Sequence, residues 1–227
     1  MKHKTLLLLL LLSITLSVFG QDSIMIKETC DKIHQLKNKD NIDSQLEIYS
    51  SQMKAYYLSS PSIIEGDSSR QAVLRYGYKF LRELKRSCQE SILPISIPKS
   101  YLVDIEGKFN KDQIDSLEHT LESVSREKHI YIHVITIDDY YPYSSIEDFA
   151  SKHRVYWGEN TLFKDGTILV VISFAKREIR ISTGQRAMLL LTNDKCTDVI
   201  NLITPYFKQG KYLEGLITGL QDIHTKI

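Results

Sequence analysis

The sequence predicts two regions of different class: a small all-α helical region, then an α/β domain with a small mixed sheet in an α/β/α sandwich. Three observations carry this. Residues 22–91 place apolar side chains at helical spacing. The segment Leu93-Pro94-Ile95-Ser96-Ile97-Pro98-Lys99 holds two prolines, which stop a helix and favour extended chain. Beyond it, helical stripes alternate with β-branched runs, the pattern of helices layered on a sheet. The expected division is a signal peptide over 1–20, a helical region over 21–92, a linker over 93–99 and an α/β/α domain over 100–227.

The chain opens with a basic trio, Lys2, His3 and Lys4, then an apolar run from Leu6 to Val18. Val18 and Gly20 are small enough for a signal-peptidase site, so cleavage is expected before Gln21. The run is short for a membrane span, which needs about 20 residues. No second long apolar run follows, so no transmembrane anchor is expected in the mature chain. The expected location is periplasmic or secreted.

In the helical region, Met25, Cys30, Ile33 and Leu36 lie near helical spacing, and Lys37–Asn41 breaks the pattern. A second helix is expected over Ser44–Leu58. Pro61 and Gly66-Asp67 mark a loop. Ser68 with Gln71 forms a capping-box signal. It opens a helix with Val73, Gly77, Leu81, Leu84 and Cys88 on one stripe. The chain has three cysteines. In an oxidising compartment an even subset pairs, and Cys30 with Cys88 would clamp the first helix to the last. A loop of that length is worth about 4 kcal/mol in the chain-entropy account. The alternative is three buried free thiols. Cys196 is left over, a small apolar residue on a helix.

In the second half, Asn110 caps a helix with Ile114, Leu117, Leu121 and Val124 on one face. Ile130–Ile137 alternates and is a strand. Ser145 caps a helix carrying Ile146, Phe149 and Ala150. Thr167–Ser173 is almost wholly apolar, as a strand covered on both faces should be. Glu178–Thr183 sets Ile179 and Ile181 against Arg180 and Ser182, a half-buried strand. The short Phe174–Arg177 link makes these two a hairpin. Two helices close the chain, one with Cys196, Val199, Ile200 and Ile203, the other with Tyr212, Leu213, Leu216, Ile217, Leu220 and Ile223.

Lys and Arg number 29 against 28 Asp and Glu. A chain without a basic excess is a poor nucleic-acid partner. The histidines show no HExxH pattern. His129 and His133 are four apart on an expected strand, about 13 Å by rise, too far to share a metal. There is no Gly-rich phosphate loop and no nucleophile elbow.

Two places attract attention as sites. Asp165 enters one strand of the hairpin and the Gly184 loop leaves the other, so both lie at one end of the sheet. Asp165 and Asp194, with Glu159 and Asn193, are candidate ligands for Ca²⁺ or Mg²⁺, which take oxygen donors. The alternative is that Asp165 shapes a turn and Asn193 or Asp194 caps the next helix. Asp138 and Asp139 end a strand whose crossover to Thr167 should be parallel and right-handed, which places them at the opposite end. Ligands favour the carboxyl ends of strands in open α/β sheets. Tyr140, Tyr141 and Tyr143 follow, and tyrosine gives large contact area with few rotamers. These five residues are a candidate protein-binding loop; the alternative is a polar loop with partly buried tyrosines.

The order of short motifs in the second half resembles a known family. Val103-Asp104 with Gly107 is followed by Ile137-Asp138, Trp157-Gly158 and Lys164-Asp165-Gly166. Arg180-Ile181 then leads to Gly184, Leu191-Thr192 and Asp194. The tail from Pro205 to Tyr212, with Gly215, completes the order. This is similar to the TPM domain, also called the TPM phosphatase domain. The helical half with two cysteines is similar to extensions on exported bacterial members. The resemblance implies an exported or lumenal α/β/α domain. Photosystem repair, receptor accessory roles, phosphatase activity and calcium binding are ascribed to various members. Such members carry Asp-Asn-Gly before the central strand, where this chain has Asp165-Gly166. They carry Gly-Tyr-Gly-Leu-Glu-Gly after the next strand, where this chain reads Gly184-Gln185-Arg186-Ala187-Met188-Leu189. The acidic residue and two glycines are gone.

The leading expectation is therefore a non-catalytic interaction or accessory module whose partner is an envelope protein, with no catalytic residue and no cofactor assigned. The alternative is a Ca²⁺- or Mg²⁺-assisted phosphatase acting on phosphomonoesters.

Overall fold

The computed structural model describes residues 23–59, 69–89, 91, 100–158 and 164–227. The expected signal peptide, the Ser68 cap and the 93–99 linker lie outside the described residues. The chain divides into two compact units, Met1–Ile64 with Tyr76–Ile95 and Glu65–Arg75 with Ser96–Ile227.

The first unit is helical: α1 (residues 23–34), α2 (Ile42–Ser59) and most of α3 (Ser69–Ser87). Its core is small. Met25, Cys30, Ile33, Met53, Phe80, Leu84 and Cys88 are buried together, with Tyr49, Tyr76 and Leu81 packed against them. The stripe on α3 departs from the expected one only toward its start; Leu81, Leu84 and Cys88 lie on the core as expected. Val73 is exposed. Tyr76 and Phe80, each four apart in line with Leu84 and Cys88, take the places expected of Val73 and Gly77, because two large rings bury more apolar area. Cys30 and Cys88 are bonded, with Cα atoms 5.6 Å apart.

The second unit is built on one four-stranded sheet, β1 (Leu102–Asp104), β2 (Tyr131–Thr136), β3 (Thr167–Ser173) and β4 (Glu178–Thr183), in the order β1-β2-β3-β4. The first three strands are parallel, and β4 runs antiparallel to β3. The helices are α4 (Lys111–Lys128), α5 (Ile146–Gly158), α6 (Gln185–Leu190), α7 (Asn193–Lys208) and α8 (Tyr212–Lys226). Asn110 caps α4 as expected. Its side chain accepts from the Gln113 N–H, and the Gln113 side chain accepts from the Asn110 N–H in return. The expected α4 face, Ile114, Leu117, Leu121 and Val124, is buried.

Alternation along the strands assigns the layers. Leu102, Ile132, Val134, Ile168, Val170 and Ile172 share one core with α4, α7 and α8. His133 points the other way and meets Trp157 of α5 edge-on at 5.0 Å. Helices therefore cover both faces, and β3 is buried at every position. The connections through α4 and α5 pass over opposite faces while the strands advance in one direction. Such crossovers have opposite hands, so the right-handed rule holds for only one of them.

The first two turns of α3 belong to this unit, and they cover an edge. Gln71 donates through Nε2 to the Leu102 carbonyl and accepts through Oε1 from the Asp104 N–H, both at 3.0 Å. Its amide fills the place that a further strand would take beside β1. Arg75 Nε donates to the Asp104 carbonyl at 3.2 Å.

Two expectations fail locally. The stretch after Gly184 is not a loop but the short helix α6, which leaves Leu189 78% exposed. His129 is not on a strand; it ends α4 in the left-handed conformation, φ 52°.

Candidate functional site

The carboxyl ends of β1, β2 and β3 meet at one edge of the second unit, where register pairs Asp104 with Thr136 and Thr136 with Ile172. Two carboxylates shape this edge. Asp104, fully buried, accepts from the Phe109 N–H at 3.0 Å and the Thr136 hydroxyl at 2.5 Å. Arg75 Nη2 lies 4.0 Å from Asp104 Oδ2, the oxygen that the Phe109 N–H binds. Glu106 reaches across to the β3–β4 turn and accepts from the Phe174 and Ala175 N–H groups at 2.9 and 2.8 Å. Burial pushes the Glu106 carboxyl up, against those two hydrogen bonds and Lys108, and the Asp138 charge pushes it further.

The expected tyrosine loop follows β2. Asp138, Asp139, Tyr140 and Tyr143 are half-buried, and Tyr141 is exposed. Tyr143 is an anchor: it meets Phe149 and His153 edge-on, each at 5.3 Å. Burial raises its hydroxyl pKa, and Asp148 adds to the effect. Asp139 accepts from the Tyr141 N–H at 3.3 Å. Lys176 of the hairpin turn lies 4.7 Å above the Tyr140 ring and 3.9 Å from Asp139. The turn and the tyrosine loop are thus one surface.

On the other side of the same turn is a cleft of about 350 Å³. Its wall is aromatic: Phe174 lies 4.2 Å from Tyr212 and 5.2 Å from Phe207 between ring centres. Ile172 and Ile179 also line it, with Arg177, Glu178 and Lys208 as charged groups. Glu178 Oε2 is buried there and has no hydrogen-bond partner among the described residues.

The expected metal set lies elsewhere. Asp165 sits exposed on a 3₁₀ turn, Lys164–Gly166, at the other end of the sheet. Gly184 is beside it, as expected, and so close that a β-carbon there would lie 2.5 Å from the Asp165 carbonyl oxygen. A charged neighbour of Asp165 is Arg154, whose pKa burial lowers and Asp165 raises. Asn193 and Asp194 are exposed in the first turn of α7, but neither caps it. Thr192 does, accepting from the Lys195 N–H. A threonine one residue earlier has the extended backbone that a cap requires. Glu159 lies outside the described residues. Among the described residues, the one group of three metal-capable side chains converging in space is Cys30, His34 and Cys88; Asp165 and Asp194 do not join such a group.

Residues 102–226 match the TPM domain family, TPM phosphatase. That is more than half the chain. It belongs to the TPM domain family. No curated protein matches the chain by sequence. Among solved structures, it is similar to the N-terminal domain of a protein from P. gingivalis, at 22% identity and TM-score 0.50, over 56% of this chain and 80% of that one. The N-terminal domain of the cg2496 protein from Corynebacterium glutamicum matches at 10% identity and TM-score 0.45, over 60% and 84%. At such identity the first likeness speaks for the fold alone.

Within the TPM domain, the cleft is what sequence reasoning missed. Phe174, Phe207 and Tyr212 stand on a turn and two helices, and no spacing rule joins them. The Cys30–His34 pair, four apart on a helix, did carry a signal. It lies outside the TPM domain.

Proposed function

We propose that this TPM protein is an exported, non-catalytic accessory module that docks an envelope protein at the carboxyl edge of its sheet. The proposed organisation is a cleaved segment over 1–20, a helical region, a linker near 93–99 and the TPM domain. One observation carries the docking reading. The tyrosine loop and the aromatic cleft flank a single hairpin turn, while Asp104 and Glu106 of the same edge are occupied in holding neighbouring backbone and the Thr136 hydroxyl. Carboxylates that accept from two donors each are scaffolding, and aromatic side chains around charged groups suit a protein partner. The Cys30–Cys88 bond supports an oxidising compartment.

The metal-assisted phosphatase reading, with Asp165 and Asp194 sharing Ca²⁺ or Mg²⁺, has less support, since the Arg154 charge is near enough to Asp165 for the two to interact. The test is site-specific photo-cross-linking in intact envelopes. A cross-linker at Tyr141 should capture one reproducible partner, and one at exposed His119 should not. Tyr140→Ala with Lys176→Ala should weaken the capture. Equal capture from both positions, or none from Tyr141, would sink the docking reading.

A further inference from the structure

The helical unit carries a second kind of chemistry, independent of the docking surface. Cys30 and His34 lie four apart on α1, which places both on one helical face. His34 Nε2 is 3.7 Å from Cys30 Sγ. Cys88 arrives from α3, whose helical bonding continues to it through its N–H to the Leu84 carbonyl at 2.8 Å. One ligand atom from each of the three lies within 4.8 Å of both others. Cys30 and Cys88 are buried, and His34 is exposed, so the group opens to solvent on the histidine side.

We propose that reducing the Cys30–Cys88 disulfide turns this group into a Cys₂His site for Zn²⁺. Zinc takes thiolate sulfur at about 2.3 Å and imidazole nitrogen at about 2.0 Å in a tetrahedron. The ligand atoms of such a tetrahedron stand roughly 3.5 to 3.8 Å apart. The histidine-to-sulfur separation is already of that size. The 5.6 Å Cα spacing of the two cysteines also suits thiolates on one ion, since the sulfurs need only swing apart by side-chain rotation. The chemistry balances with a dithiol reductant. It gives two electrons and two protons to the disulfide, becomes a disulfide itself, and leaves two thiols. Zn²⁺ then displaces both thiol protons to solvent, binds both sulfurs and neutral His34, and keeps a water in its fourth position. One location thus exchanges a covalent clamp for a metal clamp.

The experiment uses the full chain after signal removal, reduced with a phosphine and freed of reductant without air. Co²⁺ is the spectroscopic probe, and Zn²⁺ the competitor. The reduced chain should bind one Co²⁺, with thiolate-to-cobalt charge transfer and the intense visible bands of a tetrahedral ion. Zn²⁺ should bleach both, and the oxidised chain should show neither. His34→Ala should weaken Co²⁺ binding by about tenfold or more, while Cys196→Ser should leave it unchanged. If reduction lowers far-UV helicity, Zn²⁺ should restore it. Absence of the cobalt bands, identical affinity in His34→Ala, or lost helicity that Zn²⁺ does not restore would each overturn the proposal.

Discussion

The two units hold themselves together by different means. Among the described residues, the helical unit has an apolar cluster of seven buried side chains and a covalent bond through it. The TPM domain has a sheet whose central strand is buried on both faces and a core fed by four helices, α4, α6, α7 and α8. A small core cannot offset chain entropy by burial alone, so cross-linking takes a larger share there. The difference also decides where chemistry is affordable. A unit held by sulfur can change state with redox conditions; a unit held by packing offers a fixed surface.

Four measurements break or sharpen this contrast. The largest effect is expected from Cys30→Ala with Cys88→Ala, a loss of about 4 kcal/mol from the helical unit. Hydrogen exchange should rise in α1 and α2. Fluorescence of the sole tryptophan, Trp157, buried between α5 and the sheet, should report unfolding at an unchanged denaturant concentration. A shared shift would show that the units do not differ as described. Leu121→Ala should do the reverse. It removes a fully buried side chain from the α4 face and should cost the TPM domain about 3 kcal/mol, read as a lower Trp157 midpoint with helical-unit exchange unmoved.

Gly184→Ala comes next, at about 2 kcal/mol, because its β-carbon meets the backbone of Asp165 and not a side chain that can turn away. Unchanged stability would mean the 3₁₀ turn yields easily. The smallest effect is a pH slope. Glu106 has a raised pKa when folded, so the native state holds its proton more tightly than the unfolded chain. Its contribution is therefore most favourable in acid. Stability declines as pH climbs from the ordinary carboxylate range through the raised value. Urea midpoints of wild type and Glu106→Gln across that range should differ by this slope, the wild type losing stability relative to the variant as pH rises.

The sequence made the TPM domain more legible than the helical unit. Asn110 and the stripe Ile114, Leu117, Leu121 and Val124 declare α4, since cap and period agree. Thr167–Ser173 declares a covered strand by composition alone. The α6 helix escaped because six residues span less than two turns, too few for a period to show. The start of the α3 stripe was misplaced because Val73 and Tyr76 both fit a helical period, and only packing chooses between them. The disulfide was legible from the positions of Cys30 and Cys88. The cleft was not, because Phe174 meets Tyr212 only once α7 and α8 have folded back onto the hairpin.

The Gln71 amide against β1 has a consequence for anyone who trims this protein to its family-matched part. Residues 102–226 contain all four strands but not the side chain that occupies the outer rim of the first. Freed of it, Leu102–Asp104 presents bare peptide groups to any passing chain. Such a fragment would be sticky at one border, inviting end-to-end association between copies. The sequence ahead of the recognised domain thus serves as its fender.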